Sequence, residues 1–79
     1  MITVYSKPNC VQCTFTKKHL EEHGIKYEEI DVTQDEQALA ELEFHKFKSV
    51  PVVRVGTFDN AWAGFRPDRL DELVNHGEY

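Results

Sequence analysis

The sequence predicts a small α/β protein in which a four-stranded mixed sheet is flanked by three helices. Two observations carry this prediction. Segments with strand-like and helix-like patterning follow one another in the order β-α-β-α-β-β-α. The 79 residues also suffice for one domain, residues 1–79, with one small core. We expect the first two strands to run parallel through a right-handed crossover and the last two to form an antiparallel hairpin.

The first three elements predict a β-α-β unit. Residues 2–5 are a short apolar run of β-type residues. Residues 11–23 contain no helix breaker, and Gly24 follows them where a helix commonly closes in the left-handed conformation. Residues 26–32 alternate enough to predict a second strand. One face of the helix should turn towards the core, and its members are Cys13, Thr16, Leu20 and Gly24.

The middle of the chain predicts a helix and a third strand. Thr33 and Glu36 match the S/T-x-x-E capping box, which predicts a helix from there to about Phe44. Residues 49–55 then predict a strand that is entered through Pro51.

The last part predicts a turn, a short strand and a third helix. Residues 56–60 are typical of a turn, and residues 61–63 predict the fourth strand. Pro67 suits the first position of a helix, and Gly77 suits its end. The apolar stripe of this helix consists of Leu70, Leu73 and Val74.

Composition and charge exclude several classes of function. The chain is 41% hydrophobic and 29% charged with a net charge of −5, and its basic residues are dispersed among acidic ones. We therefore expect neither nucleic-acid binding nor a polybasic membrane patch. There is no apolar run of about 18 residues and no charged start typical of a signal peptide. We expect a cytoplasmic protein.

The only two cysteines, Cys10 and Cys13, form a C-x-x-C motif between the first strand and the first helix. In a reducing compartment, such a pair is more typical of catalysis or metal binding than of a structural disulfide. Free N–H groups and the positive dipole end of the helix should favour a Cys10 thiolate, and Lys7 adds a positive charge. We expect Cys10 to be the exposed attacking thiol and Cys13, on the core face, to be the resolving thiol.

A zinc site is the alternative interpretation of these cysteines. His19 and His23 have the H-x3-H spacing of a zinc finger, but only five residues separate Cys13 from His19 where a finger needs about 12–15. All four groups would also lie on one helix. We therefore predict no metal site and interpret His45 and His76 as surface residues.

Val50 and Pro51 are candidate neighbours of the dithiol. A proline at a strand start can be a trans residue at a sheet edge, or it can follow a cis bond. With the dithiol present we expect the cis form, which sets backbone beside the cysteines and offers its edge to a peptide substrate.

The chain resembles the thioredoxin superfamily and, within it, the glutaredoxin-like NrdH-redoxins. The resemblance covers nearly the whole chain, and its last motif is similar to the W-[SA]-G-F-R-P-[DE] signature of that family. The matching segments are Tyr5-Ser6-Lys7-Pro8, Cys10-Val11-Gln12-Cys13, Val50-Pro51-Val52-Val53 and Trp62-Ala63-Gly64-Phe65-Arg66-Pro67-Asp68.

The resemblance implies a thioredoxin/glutaredoxin-like fold and a protein that carries electrons as a dithiol. The family accepts electrons from NADPH through the flavoprotein thioredoxin reductase and passes them to class Ib ribonucleotide reductase. No cofactor would be bound to this chain, because NADPH and FAD belong to the reductase. We expect a monomer.

The resemblance also implies roles around the dithiol. We expect support of the active site from Lys7, Val11, Gln12, Val50 and Pro51. Partner docking is expected from Trp62, Gly64, Phe65 and Arg66. Plainer interpretations stay open for the second group: Trp62 covers the edge of the core, Phe65 belongs to the core and Arg66 makes a local bond.

Two departures from the family pattern bear on partner choice. The hairpin between Pro51 and Trp62 is about two residues longer than usual, with Phe58 expected at its tip. Lys46 stands where the family commonly has glycine, so the helix end there is expected to differ.

Alternatives to the carrier role also stay open. They are a glutathione-dependent glutaredoxin and a redox-sensing or iron–sulfur module. Glutaredoxins proper usually have a glycine pair after the fourth strand, where this chain has the segment from Trp62 to Asp68.

Overall fold

The structure, a computed structural model, describes residues 1–76. It has the predicted order of elements and one sheet with strand order β2-β1-β3-β4. The first pair of strands, β1 and β2, is parallel, whereas β1–β3 and β3–β4 are antiparallel, as predicted. The elements are β1 Ile2–Ser6, α1 Val11–Glu22, β2 Glu28–Asp31, α2 Glu36–Phe44, β3 Val52–Val55, β4 Thr57–Ala63 and α3 Pro67–His76.

Both faces of the sheet are covered by helices. The fully buried strand β1 alternates, so that Ile2 and Val4 face one side and Tyr5 the other. The first side packs against α1 and α3 through Ile2, Val4, Leu20, Ile25, Val53, Trp62, Leu70 and Leu73. The second side packs against α2 through Tyr5, Val32, Ala38, Leu42 and Val52. Among residues 1–76, no helix has the length and apolar character that crossing a membrane requires.

Helix α1 has the predicted core face and the predicted end. Its buried residues are Cys13, Thr16 and Leu20. Gly24 adopts a positive φ of 68°, and its N–H donates to the Glu21 carbonyl while the Ile25 N–H donates to the Leu20 carbonyl. This pair of bonds is a Schellman motif. Placing Gly24 on the core face was wrong, because the residue is exposed beyond the last turn.

The start of α2 differs from the predicted capping box. Asp35, not Thr33, is the N-cap, and its carboxylate accepts from the Ala38 N–H at 3.0 Å. Thr33 lies in the preceding turn, where its N–H and its hydroxyl both donate to Asp31. Asp35 rather than Thr33 caps the helix because its carboxylate reaches a free N–H of the first helical turn.

The end of α2 closes with the same motif as α1, although a lysine occupies the left-handed position. Lys46 has a φ of 67°, its N–H donates to the Glu43 carbonyl, and the Phe47 N–H donates to the Leu42 carbonyl. The helix end therefore keeps the geometry that a glycine would favour.

The β3–β4 hairpin is tighter than predicted. The fourth strand spans Thr57–Ala63, so the prediction of a turn over residues 56–60 was wrong. The chain turns around Gly56, which has a φ of 75°. The register shifts between Arg54 and Val55, which accommodates the extra residues as a bulge within the sheet. Phe58 is not at an exposed tip: it is half-buried and stacks on His45 at 4.1 Å.

Other strand ends are shorter than predicted. The second strand spans Glu28–Asp31 rather than 26–32, and the third begins at Val52 rather than at residue 49. In α3, Leu70 and Leu73 are buried but Val74 is 37% exposed, so it lies outside the core stripe. The predicted helix end at Gly77 lies outside the described residues.

Candidate active site

The two cysteines lie at the start of α1, the helix that follows the first strand. Cys10 is the N-cap of α1, and its Sγ accepts from the Cys13 N–H at 3.2 Å. The pair is closed as a disulfide with Cα atoms 5.2 Å apart. A free N–H of the first helical turn therefore points at the sulfur of Cys10, which is the arrangement that stabilises negative charge there.

The two sulfur-bearing residues differ in access. Cys13 is 1% exposed and belongs to the core face of α1, whereas Cys10 is half-buried. A disulfide of another molecule can reach Cys10 more easily than Cys13. This arrangement agrees with the predicted order of attack, although the order itself stays a prediction.

Val50 and Pro51 bring the start of β3 against the dithiol. The peptide bond between them is cis, as expected. The Val50 carbonyl lies 3.8 Å from Cys10 Sγ, and the Pro51 carbonyl accepts from the Gly64 N–H at 2.8 Å. The same two residues thus contact the dithiol on one side and the segment after β4 on the other.

Gln12, between the cysteines, is bonded to that same segment. Its Oε1 accepts from the Phe65 N–H at 3.1 Å. A Cβ built on Gly64, whose φ is 87°, would lie 3.4 Å from Gln12 Oε1, so the glycine permits this close approach. Sequence reasoning assigned both residues to the site but missed the bond, because no local pattern connects positions 53 residues apart.

An exposed apolar surface borders the dithiol. Val11 is 66% exposed and Phe15 is 49% exposed, one helical turn apart on α1. The half-buried Phe65 ring lies 5.8 Å from Phe15. We call Val11, Phe15 and Phe65 the apolar rim. Sequence analysis placed Val11 and Phe65 at the site but gave Phe15 no role there.

Two residues of the predicted docking segment make local contacts. Trp62 is 6% exposed in the core, with the Arg69 guanidinium 4.8 Å from its ring, so it offers a partner little surface. Arg66 donates to both carboxylate oxygens of Asp68, and these hydrogen bonds hold the pKa of Asp68 below its ordinary value. Both plainer interpretations match the observed contacts, and docking by Trp62 or Arg66 stays a prediction.

A groove of about 750 Å³ opens on the other side of the dithiol. Its charged lining residues are Lys7, Lys46, Lys48 and Glu43, and its apolar lining includes Phe47 and Val50, whose carbonyl lies against Cys10. Lys7 is exposed and contributes to this groove. The groove therefore combines positive charge with apolar surface beside Cys10.

The glutaredoxin family model matches residues 2–58, which include the dithiol and the cis proline. The chain belongs to the glutaredoxin family. It is 40% identical over 72 residues to the glutaredoxin-like protein NrdH of Salmonella typhimurium, covering 91% of this chain and 86% of that protein. The glutaredoxin-like protein NrdH of Lactococcus lactis is 40% identical over 74 residues, covering 94% of this chain and all of that protein.

A solved structure agrees with these relatives. The NrdH-redoxin of Escherichia coli superimposes with a TM-score of 0.85 at 39% identity, over 91% of this chain and 92% of its own; it is described as a glutaredoxin-like protein with a thioredoxin-like activity profile. The resemblance to NrdH-redoxins is confirmed, and so is the thioredoxin/glutaredoxin fold. The site is thus the redox-active cysteine pair of a glutaredoxin-like protein.

Proposed function

We propose that the protein is a dithiol electron carrier in which Cys10 attacks and Cys13 resolves. The Cys10 thiolate forms a bond to one sulfur of a target disulfide, and the other sulfur leaves as a thiolate that takes up a proton. Cys13, as a thiolate, then attacks Cys10, which releases the second target thiol. The target gains two electrons, and the carrier ends with the Cys10–Cys13 disulfide that the structure contains.

One observation carries this proposal most directly. The half-buried Cys10 sulfur accepts an N–H at the start of α1, while Cys13 is buried one turn below it. The first position suits a thiol that meets a partner, and the second suits a thiol that reacts only after the mixed disulfide has formed.

For the partners, we infer that thioredoxin reductase supplies electrons from NADPH and that class Ib ribonucleotide reductase receives them. The inference is supported by the NrdH relatives and by the thioredoxin-like activity profile described for the Escherichia coli protein. The apolar rim supports docking of a protein, because exposed apolar side chains around a reactive group are typical of interaction sites.

A trapping experiment tests the chemistry and the partners together. Reduced Cys13→Ser protein should hold each target as a mixed disulfide on Cys10, and the Cys10→Ser protein serves as the matched control. With purified partners, wild-type protein should support NADPH oxidation by thioredoxin reductase in the presence of oxidised class Ib ribonucleotide reductase. Trapping on Cys13 would contradict the assigned order of attack. Turnover with glutathione and glutathione reductase alone would contradict the assigned partners.

A specific observation favours a glutathione-dependent glutaredoxin as the second candidate. The groove beside Val50 is lined by Lys7, Lys46 and Lys48 and by one acidic residue, Glu43, and this excess of positive charge complements the two carboxylates of glutathione. If glutathione is the donor, its rate of reaction with the oxidised protein should reach a maximum as the glutathione concentration rises. Lys48→Gln should then raise the concentration at which the rate is half-maximal. A linear rate that Lys48→Gln leaves unchanged would exclude specific binding in the groove.

A further inference from the structure

A second group of potential metal ligands, which does not include the cysteines, is formed by side chains of α1 and α3. His19 and His23 are on successive turns of α1 and its C-cap, and Asp71 is on α3. One donor atom from each residue can be chosen so that all three lie within 4.8 Å of one another. The group therefore brings two imidazoles and one carboxylate together from two separate helices.

The two histidine rings are close and held in place. Their centroids are 4.5 Å apart, and His19 Nε2 lies 3.1 Å from Asp71 Oδ1. His19 is largely buried, with 20% of its side chain exposed, whereas Asp71 is 59% exposed. The site is thus anchored on the protein side and open to solvent on the other.

Hydrogen bonding sets the tautomer of His23. Its Nδ1 lies 2.9 Å from the His19 carbonyl, and a carbonyl only accepts, so Nδ1 carries the proton. The lone pair is then on Nε2. Metal-binding histidines commonly have this arrangement, in which one ring nitrogen donates to a backbone carbonyl and the other binds the ion.

We propose that His19, His23 and Asp71 bind a divalent transition-metal ion such as Zn²⁺, which then links α1 to α3. Imidazole nitrogen and carboxylate oxygen are ligands for zinc, at bond lengths of about 2.0–2.2 Å. The ion takes the position between His19 Nε2 and Asp71 Oδ1, and the neutral His19 ring binds it in the tautomer that carries its proton on Nδ1, so that the Nε2 lone pair is the ligand. Rotation of the exposed Asp71 side chain, with a tilt of the His23 ring that keeps its Nδ1 bond to the His19 carbonyl, brings the donors to tetrahedral spacing, and water fills the fourth position.

This site is separate from the cysteine motif that the sequence analysis considered for zinc. It uses no thiolate, and it draws its third ligand from a helix about fifty residues away in the chain. The His19 ring also packs edge-on against Phe65, with the ring centroids 6.2 Å apart. An ion bound to His19 would therefore fix a side chain that contacts the apolar rim. The proposal does not depend on the electron-carrier function.

Calorimetric titration of Zn²⁺ into the oxidised, tag-free protein tests the proposal. The disulfide keeps both cysteines from binding the ion. Wild-type protein should bind one Zn²⁺, and His23→Gln and Asp71→Asn should each weaken binding at least about tenfold, the loss that even outer-shell changes can cause. His45→Gln is the matched control, since this exposed histidine lies outside the group, and it should leave the affinity unchanged.

Two further measurements establish that the variants fold and where the ion binds. Circular dichroism verifies that His23→Gln and Asp71→Asn are folded, which is expected because both residues are exposed. Paramagnetic Ni²⁺ should broaden the amide signals of the wild-type protein around His19, His23 and Asp71. Zinc binding that occurs only after reduction of the disulfide would overturn the proposal. So would an affinity that is equal in the wild type, His23→Gln and Asp71→Asn.

Discussion

Gln12 and Phe65 are joined by a hydrogen bond in which the Phe65 backbone N–H donates to Gln12 Oε1 at 3.1 Å. The bond connects the residue between the two cysteines to the segment after β4. Gly64, one residue earlier, donates to the Pro51 carbonyl at 2.8 Å. The dithiol, the cis proline and this segment are therefore held as one surface by two hydrogen bonds.

Replacing Gln12 by alanine should loosen this surface. We expect Gln12→Ala to lower the free energy of unfolding by about 0.5–1 kcal/mol, because the lost bond is exposed. We also expect a higher KM for a protein disulfide and an unchanged rate with a small aromatic disulfide. Gln12→Glu is the control, since its carboxylate can still accept from Phe65. Equal behaviour of the two variants, by urea unfolding and kinetics, would argue against the hydrogen bond.

In the reduced protein, Cys10 should be alkylated well before Cys13. Cys10 is half-buried and accepts an N–H, while Cys13 is 1% exposed, so both access and thiolate stability favour Cys10. Mass spectrometry after brief iodoacetamide treatment measures modification at each site. Cys10→Ser should then react slowly, and Cys13→Ser should react at a rate similar to that of the wild type. Faster labelling of Cys13 would reverse the assigned roles.

The two Schellman motifs allow a paired test of backbone conformation. Lys46 has a φ of 67°, which is unfavourable for a residue with a Cβ, so Lys46→Gly should stabilise the protein by about 1 kcal/mol. Gly24→Ala should destabilise it by about the same amount, because nothing lies within 4 Å of the added Cβ and only the backbone is affected. Thermal and urea unfolding measure both. A destabilising Lys46→Gly would mean that the lysine side chain makes a stabilising contact.

The sequence was sufficient for what local patterns encode. The order of elements follows from periodicity, and the helix end at Gly24 follows from the special conformation of glycine. The cysteine pair could be located because reactivity depends on a short motif at a helix start. Of the predicted docking residues, Trp62 was the least predictable, because the family pattern does not distinguish a buried indole from an exposed one.

Longer-range contacts could not be predicted in this way. The bonds from Gln12 to Phe65 and from His19 to Asp71 connect positions more than fifty residues apart, and they exist only because α1, α3 and β4 pack together. The predicted turn at residues 56–60 failed for a related reason. Its Gly, Asp and Asn residues are typical of turns, but pairing with β3 draws residues from Thr57 onwards into the sheet.

The N-cap of α2 is an instance in which two local patterns competed. Asp35→Ala should lower the free energy of unfolding by about 1 kcal/mol, because the Ala38 N–H loses its acceptor. Thr33→Ala should cost less, since it removes only the hydroxyl bond to Asp31 in an exposed turn. Urea unfolding of both variants measures the difference. A larger effect of Thr33→Ala would restore the capping box that the sequence predicted.

Glu29 should contribute stability at neutral pH that is lost in acid. Hydrogen bonds from Lys17 and from the buried Ser6 hold the pKa of Glu29 below its ordinary value of 4.5. Because the folded protein has the lower pKa, the contribution is fully present above about pH 5 and disappears as the pH falls through the folded value. The difference in unfolding free energy between wild type and Glu29→Gln should therefore shrink from about pH 6 to about pH 3.

Comparison with a variant at every pH is necessary because the other carboxyl groups of the chain titrate in the same range. Glu28→Gln is the matched control, since Glu28 precedes Glu29 on β2 and its side chain points to the opposite face of the sheet. The difference in unfolding free energy between wild type and Glu28→Gln should not shrink in the same way over this pH range. If the gap for Glu29→Gln instead stays constant down to about pH 3, the bonds to Lys17 and Ser6 do not stabilise the charged carboxylate in solution.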